Sequence, residues 1–343
     1  MATAPLPDRL REQGEACRRM GSPLTADLLA GAADDLAAGG VVGELLRPLE
    51  DDPPGTVPAL RFTGALHRLV LERRAPGLAV HYPSVGGTPG NVWPAARAVV
   101  EEQLDALHEL VRRPVQTNEV GRSSALLGGL LHVAAATGLP LRLLEVGASG
   151  GLNLSVDRFR HEVTSGVVLG DPASPVVLDA PWQGRLPDLD QPLRLVERQG
   201  CDPGPLDPSS ADDRLTLTSY VWPDQVERFE RLRGALRVAA AAPERVEALG
   251  GAAFLERELH PRDGVATVVW HSVVWQYVPP DERTRITGAV AAAGARATPS
   301  APVAHLRLEP EDSGFVLRLR TWPGGEERLL ADAQGHGPPV VWR

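Results

Sequence analysis

Hydrophobic positions along the chain change their period near residue 140. Before it they recur every three or four residues. Beyond it, short apolar runs alternate with helical stripes. Leu6, Leu10, Cys17 and Met20 form the first stripe. Ser22 followed by Pro23 reads as a cap and first-turn pair for a second helix, with Leu24, Leu28, Leu29 and Leu36 inward. After a Pro/Gly-rich break at 51–55 the pattern predicts a helix over 57–74. The stretch 81–90 reads as a loop, and 95–113 as one long helix stopped before Pro114. A polar run at 116–124 leads into a helix over 125–137, which Gly138 and Pro140 end.

The second part alternates. Strands are predicted at 141–146, 192–199, 243–248, 264–270 and 302–308. Helices are predicted at 223–242, 251–259 and 280–292. Phe315, Leu317 and Leu319 share one face of a further strand, Trp322 to Gly325 turn the chain, and 328–331 returns as the second arm of a hairpin. The expected fold class is α/β: a mostly parallel sheet with helices on both faces, a closing antiparallel hairpin and a helical N-terminal region. The expected division is 1–113 and 114–343.

The stretch that organises this pattern is Leu141 to Leu154. An apolar strand ending in Glu145 and Val146 runs into Gly147, Ser149, Gly150 and Gly151, and an apolar, helix-compatible segment over 152–159 follows. Strand, glycine turn and helix start bring a backbone close to a ligand. Binding of S-adenosylmethionine at such a turn needs a carboxylate near the first strand's end, small residues for close approach, and an acid at the second strand's end for the ribose hydroxyls. Glu145, the glycines and Asp202 are the candidates, with Asn153 beside them. A dinucleotide turn expects G-x-G-x-x-G with an acid about twenty residues on. Here the acid comes much later, after an insertion over 160–191. The same five residues, Gly147 to Gly151, also spell G-x-S-x-G, the elbow of serine hydrolases, with Ser149 as nucleophile and His305 or His336 to complete a triad. Helices rather than strands upstream of the turn weigh against that reading. Ser149 is otherwise a helix cap or a ligand-contacting hydroxyl.

Composition removes several classes. The chain contains no lysine, so Schiff-base, pyridoxal-phosphate, Walker-type and kinase lysines are excluded. Two distant cysteines fit a reduced, cytoplasmic setting and supply no Cys-based metal site. A net charge of −9 argues against a nucleic-acid groove as the main function. No apolar run spans a bilayer, no signal peptide is apparent, and the scattered histidines give no expectation of a metal.

Asn118, Glu119 and Arg122 precede the helix that leads into the first strand. They read either as a polar cluster over the ligand or as caps with a surface ion pair. His271 and Ser272 follow the fourth strand, where ligands sit in doubly wound folds. His271 is the candidate base, and Ser272 and Tyr277 are candidate substrate contacts. Asp171 and Asp179 lie in the 160–191 insertion, a solvated loop by default.

These motifs carry a resemblance. Thr117 to Ser123, Leu143 to Leu154, Gly200 to Asp202, Val221 to Asp224 and His271-Ser272 resemble a bacterial family of uncharacterised proteins, the domain of unknown function 2332, over nearly the whole chain. That family is similar in pattern to class I S-adenosylmethionine-dependent methyltransferases, which implies a Rossmann-like fold and that cofactor, with no acceptor specified. The chain departs from the pattern at Gly250, Gly251, Ala252 and Ala253, where an acid for the adenine amino group is expected, and at Gly150, where the family more often has Ala. The expectation is an S-adenosylmethionine-binding protein acting as a methyltransferase. A non-catalytic binding protein on the same fold and a serine hydrolase are the alternatives.

Overall fold

The computed structural model describes residues 4–343 apart from 53, 165 and 313. Residue 53 of the predicted break and residues 1–3 of the N-terminus thus lie outside the described residues. The chain forms two compact units. One holds residues up to Thr117 together with Ala211–Glu230, and the other holds Asn118–Ser210 and Arg231–Arg343. The segment 211–230 therefore joins the first unit from far beyond the expected 113/114 boundary.

The first unit is helical. Its N-terminal segment carries α1 (Leu6–Arg19), α2 (Pro23–Ala37), α3 (Val42–Leu46), α4 (Pro58–Leu71), α5 (Pro76–Ala79), α6 (Trp93–Glu102) and α7 (Leu104–Val111). Residues of the predicted stripes supply much of its core: Leu10, Leu28, Leu29, Leu66 and Leu69 are fully or almost fully buried, and Phe62, outside the predicted positions, joins them. The single helix expected over 95–113 is two. Gln103 leaves the helical region (φ −122°, ψ 27°), and α7 starts after it with Leu107 and Val111 in the same core. Neither Pro nor Gly marks that break, so periodicity alone runs through it. The Ser22 expectation is also corrected. The Ser22 side chain does not cap its own helix. Its hydroxyl donates to Asp224 Oδ1 at 2.5 Å, and Asp224 Oδ2 accepts the Leu24 N–H at 3.0 Å. The cap of α2 comes from a residue two hundred positions away.

The second unit is α/β. Before its first strand stands α8 (Ser123–Thr137), and β1 is Leu141–Val146. The insertion forms β2 (Arg160–Thr164), β3 (Val167–Gly170), β4 (Val177–Leu178) and β5 (Gln183–Gly184). The first three of these make a small sheet in the order β3-β2-β4. That replaces the loop expected there. Asp171 in it accepts the Ala173 N–H as a turn residue. The main sheet continues with β6 (Leu195–Asp202). Then come α9 (Ala211–Ser219) of the first unit, α10 (Val226–Ala241), which straddles the boundary, β7 (Arg245–Ala248), α11 (Gly251–Glu258), β8 (Ala266–Ser272), α12 (Pro280–Ala295), β9 (Val303–Glu311), β10 (Gly314–Trp322), β11 (Glu327–Gln334) and β12 (Gly337–Trp342).

The nine-stranded sheet has the order β7-β6-β1-β8-β9-β10-β11-β12-β5. Strands β7, β6, β1, β8 and β9 run parallel, and β9 to β12 form an antiparallel meander. The predicted hairpin is present as β10 and β11, with β12 added beyond it. All six residues of β1 are buried, as a strand covered on both faces requires. Leu141 and Leu143 pack with α8 on one face. Leu144 and Val146 pack with Phe254, Leu255 and Ile286 of α11 and α12 on the other. From β1 the chain builds outward to β6 and β7, then returns to β8 and β9 on the opposite side. The strand order thus reverses between β1 and β8, and in open α/β sheets ligands bind at the carboxyl ends of strands beside such a reversal.

The Asp224 cap is directly testable. Asp224→Ala removes the acceptor for Leu24 N–H and the partner of Ser22, and is expected to destabilise the protein by about 1–2 kcal/mol. Denaturant unfolding of the variant measures it. An unchanged midpoint would show that the cap carries no stability.

Candidate functional site

The turn after β1 is tightly constrained. Gly147, Ser149 and Gly151 all have positive φ, at 74°, 52° and 70°. A Cβ at Gly147 would stand 2.4 Å from Val274 Cγ2, and one at Gly151 2.6 Å from Val246 Cγ2. These two positions need glycine for both conformation and space. Gly150 is not among the described glycines of positive φ. Ser149 holds a left-handed conformation unusual for a side-chain-bearing residue.

The backbone amides of this turn are largely engaged by the protein. Gly147 and Ala148 N–H donate to the Cys201 carbonyl, Ser149 N–H to Asp202 Oδ2 at 3.0 Å, Gly151 N–H to the Ala148 carbonyl, and Leu152 N–H to Asn118 Oδ1 at 3.0 Å. Asp202 ends β6, and its other oxygen accepts the Gly204 N–H at 2.9 Å. It clamps the two loops at the sheet edge together, and its oxygens keep further lone pairs. The segment after the turn differs from expectation. It is a 3-10 helix over Leu152–Arg158, interrupted at Ser155 (φ −91°, ψ 22°), and Leu152 to Val156 are all buried. Asn118 takes the Leu152 N–H, and the Leu154 and Phe159 N–H groups each close an i to i−3 turn, onto the Gly151 and Val156 carbonyls.

Glu145 lies one residue before the end of β1 and is buried to 2%. Its Oε2 has no hydrogen-bond partner. Burial raises its pKa to about 8. Trp270, Arg122 and Asn153 pull it down in that order, and Asp202 pushes it up. The Trp270 indole N–H is near enough to favour the carboxylate, yet makes no hydrogen bond of good geometry. Asn153 is itself oriented by Ser123, whose hydroxyl donates to its Oδ1 at 2.7 Å. Arg122 donates to the Gly335 and Ser272 carbonyls at 2.9 and 3.2 Å. The structure therefore brings together Glu145, Asn153, Arg122 and the end of β8 at Ser272. Asn118 and Glu119 serve the backbone: the first holds Leu152, and the second accepts the Gly121 N–H at 3.0 Å.

His271 is placed elsewhere. Glu145 and Trp270 are register partners on one face of the sheet. His271, the next residue, points to the other face by strand alternation. There its Nδ1 meets Glu309 Oε1 at 2.7 Å, its Nε2 meets His305 Nε2 at 3.0 Å, and its ring stacks on Trp275 at 4.7 Å between centroids. Glu309 also accepts the N–H groups of Val274 and Trp275. Burial first, then His271, Arg307 and Arg320, hold His305 well below the ordinary histidine range. His305, a triad candidate for Ser149, is thus bonded to His271. Tyr277 lies in the 3-10 turn Trp275–Tyr277 and is 37% exposed. Desolvation of its hydroxyl raises its pKa, and a hydrogen bond with Gln276 and then Arg122 oppose it. Sequence reasoning missed Trp270, Ser123 and Glu309. Only Glu309 left a signal, as a carboxylate at alternate spacing from His305 on a strand. Among the described residues no group of three or more His, Cys, Asp or Glu is arranged to hold a metal ion, and no helix is long and apolar enough to cross a membrane.

The fold and the edge site define a doubly wound α/β protein with a buried, incompletely satisfied acid beside the strand-order reversal. The chain belongs to the family described as an uncharacterized protein conserved in bacteria, DUF2332, whose pattern matches residues 7–342. No curated protein and no solved structure matches the chain.

Glu145 makes a stability prediction. Its folded pKa lies above the unfolded value, so its favourable contribution is complete below the unfolded pKa and is lost as pH rises toward about 8. Glu145→Gln is therefore expected to be more stable than the parent at pH 8, by a margin on the order of a few kcal/mol, and the margin should close toward pH 5. Urea unfolding at several pH values measures this. A pH-independent difference would contradict the burial argument.

Proposed function

We propose that the second unit binds S-adenosylmethionine at the carboxyl edge of β1, β6 and β8, and that it acts as a methyltransferase. The observation that carries this reading is Glu145 Oε2, buried and without a partner beside the strand-order reversal. Such a carboxyl gains most from a ligand that brings a cation and a hydrogen-bond donor. The ammonium of the methionine moiety supplies both. Gly147 and Gly151 leave no side chain between the turn and its neighbours. Asp202 offers its remaining lone pairs to the ribose hydroxyls. No acid follows β7 in the chain, but Glu282 from α12 accepts the Ala252 N–H at 2.9 Å, so a carboxylate does stand at the start of α11. In this reading the adenine side draws on Glu282. The five parallel strands in the order β7-β6-β1-β8-β9 are those a class I methyltransferase arrangement calls for, while beyond β9 the chain continues as a simple meander. The sulfonium makes the methyl carbon electrophilic, so the protein's task is chiefly alignment of an acceptor. Ser272 and Tyr277 are the acceptor-side contacts in this reading. His271 lies on the other face with both ring nitrogens engaged by Glu309 and His305, so this reading gives it no proton-accepting role.

Calorimetry with S-adenosylmethionine tests the proposal. Glu145 is mostly protonated at pH 7 and must ionise to pair with an ammonium, so binding should release close to one proton. Affinity should rise roughly tenfold per pH unit below pH 8, until the ligand's own ammonium deprotonates. Glu145→Gln should weaken binding and flatten that dependence. No binding, or the same pH dependence in the variant, sinks the reading. Release of S-adenosylhomocysteine in the presence of cell extract separates turnover from binding alone.

One observation favours a second reading. Ser149 has the positive φ that a nucleophile elbow imposes. A hydrolase using it predicts fluorophosphonate labelling of Ser149 in the folded protein. Absence of that label rules it out.

A further inference from the structure

A second constellation stands in the helical unit, outside the site above. His67 on α4 is fully buried. Its Nδ1 lies 3.2 Å from the Ser219 carbonyl, and its Nε2 lies 2.9 Å from Ser84 Oγ. A carbonyl only accepts, so Nδ1 carries the proton and donates to it. That leaves the Nε2 lone pair to accept from the Ser84 hydroxyl. The ring is fixed in place: Tyr82 meets it edge-on at 5.4 Å between centroids, and Phe229 packs at 6.3 Å. Burial lowers the His67 pKa to about 4, so the imidazole is neutral at ordinary pH. Ser84 sits in the 3-10 turn Pro83–Val85 and is half-buried, open on one side. Its N–H is tied to the Pro223 carbonyl at 2.8 Å, and the Gly86 and Gly87 N–H groups fold back onto Pro83 and Tyr82. The hydroxyl is therefore presented on a rigid loop.

We propose that Ser84, His67 and the Ser219 carbonyl form a nucleophile, base and orienting group for acyl transfer on the helical unit. Geometry of this kind, a hydroxyl on a base whose other nitrogen is held by a third group, is what activates a weak nucleophile. The Ser84 Oγ–acyl bond forms as the bond from the acyl carbon to the leaving alcohol or thiol breaks. The Ser84 proton passes to His67 Nε2 and from there to the leaving group. Water then hydrolyses the acyl-serine by the reverse proton path. The amides after Ser84 are taken up within the loop, so the developing oxyanion must find another donor. The Tyr82 hydroxyl is buried and without a hydrogen-bond partner, and solvent water at the exposed side of Ser84 is the donor that remains. Val80 and Val85 flank Ser84 in the chain and are 59% and 44% exposed. An apolar acyl group of an ester or thioester suits that surface. This proposal does not depend on the cofactor reading of the other unit.

The test uses the full-length protein and a fluorophosphonate probe, with the labelled residue mapped by peptide mass spectrometry. Label is expected on Ser84, retained in Ser149→Ala and lost in Ser84→Ala. His67→Gln should slow labelling about a hundredfold. Because His67 is buried and its variant can lose the fold, Ser84→Cys provides an independent readout. Cys17 and Cys201 are both buried, so the new thiol is the one open to alkylation, and its alkylation in the folded protein is expected because the proposal requires position 84 to be reachable by a substrate. No label on Ser84, or no alkylation of the thiol at position 84 in the folded protein, overturns the proposal.

Discussion

A carboxyl group buried at the end of β1 with one oxygen unpaired is the constraint around which the second unit is built. An ionised carboxylate deprived of water and partners is among the costliest groups to bury. Burial of Glu145 shifts its pKa to about 8 instead, so near neutrality most of the cost is removed by a proton. The neighbours limit the remainder without abolishing it. Asn153 is held by Ser123, and Arg122 donates to two carbonyls while its charge favours the Glu145 carboxylate. The result is a site whose electrostatics are incomplete. Incomplete satisfaction of a buried group beside a strand-order reversal is the feature that separates a ligand site from a tight turn.

The architecture was legible from period alone. The switch from a three-to-four-residue repeat to alternating strands and helices located each of the five parallel strands and the hairpin. The misreadings have local physical causes. The break at Gln103 has no glycine or proline to announce it. The 3-10 segment after the turn starts with the Leu152 N–H held by Asn118, far back in the chain, which no local pattern contains. The insertion over 160–191 pairs its strands with one another, and β5 finds β12 at the far edge of the sheet. Proline-rich composition hides such pairing because it resembles a loop. The capping of α2 by Asp224 is the extreme case. Sequence reading assigns a cap to the nearest hydroxyl, whereas the structure uses Ser22 to orient the acid that does the capping.

The candidate site was legible to the same depth. Glu145, Asn153 and Arg122 do converge, because they lie at the ends of elements that meet at one edge. His271 shows the limit. Adjacent residues on a strand face opposite sides, so two residues at the same sheet edge need not share a pocket. Reading His271 as a base beside Glu145 used position along the strand and ignored its parity. The structure gives it other company, Glu309 and His305, on the face covered by α11 and α12.

The sign of charge narrows the ligand class further than topology does. Glycine turns that bind phosphates present free N–H groups to an anion. At this turn the N–H groups of Gly147, Ala148, Ser149, Gly151 and Leu152 are occupied by the protein's own carbonyls and side chains. A pyrophosphate would have to displace them, and it would keep the neighbouring Glu145 from ionising. A cation meets the opposite situation. It finds an unpaired carboxyl oxygen whose ionisation it would restore, with a second carboxylate already fixed at the adjoining loop. The same atoms that make the turn unsuited to a dinucleotide favour a ligand with an ammonium and a sulfonium. In the proposed complex, S-adenosylmethionine is favoured by the acid that the fold leaves unpaired more than by the glycines of the turn.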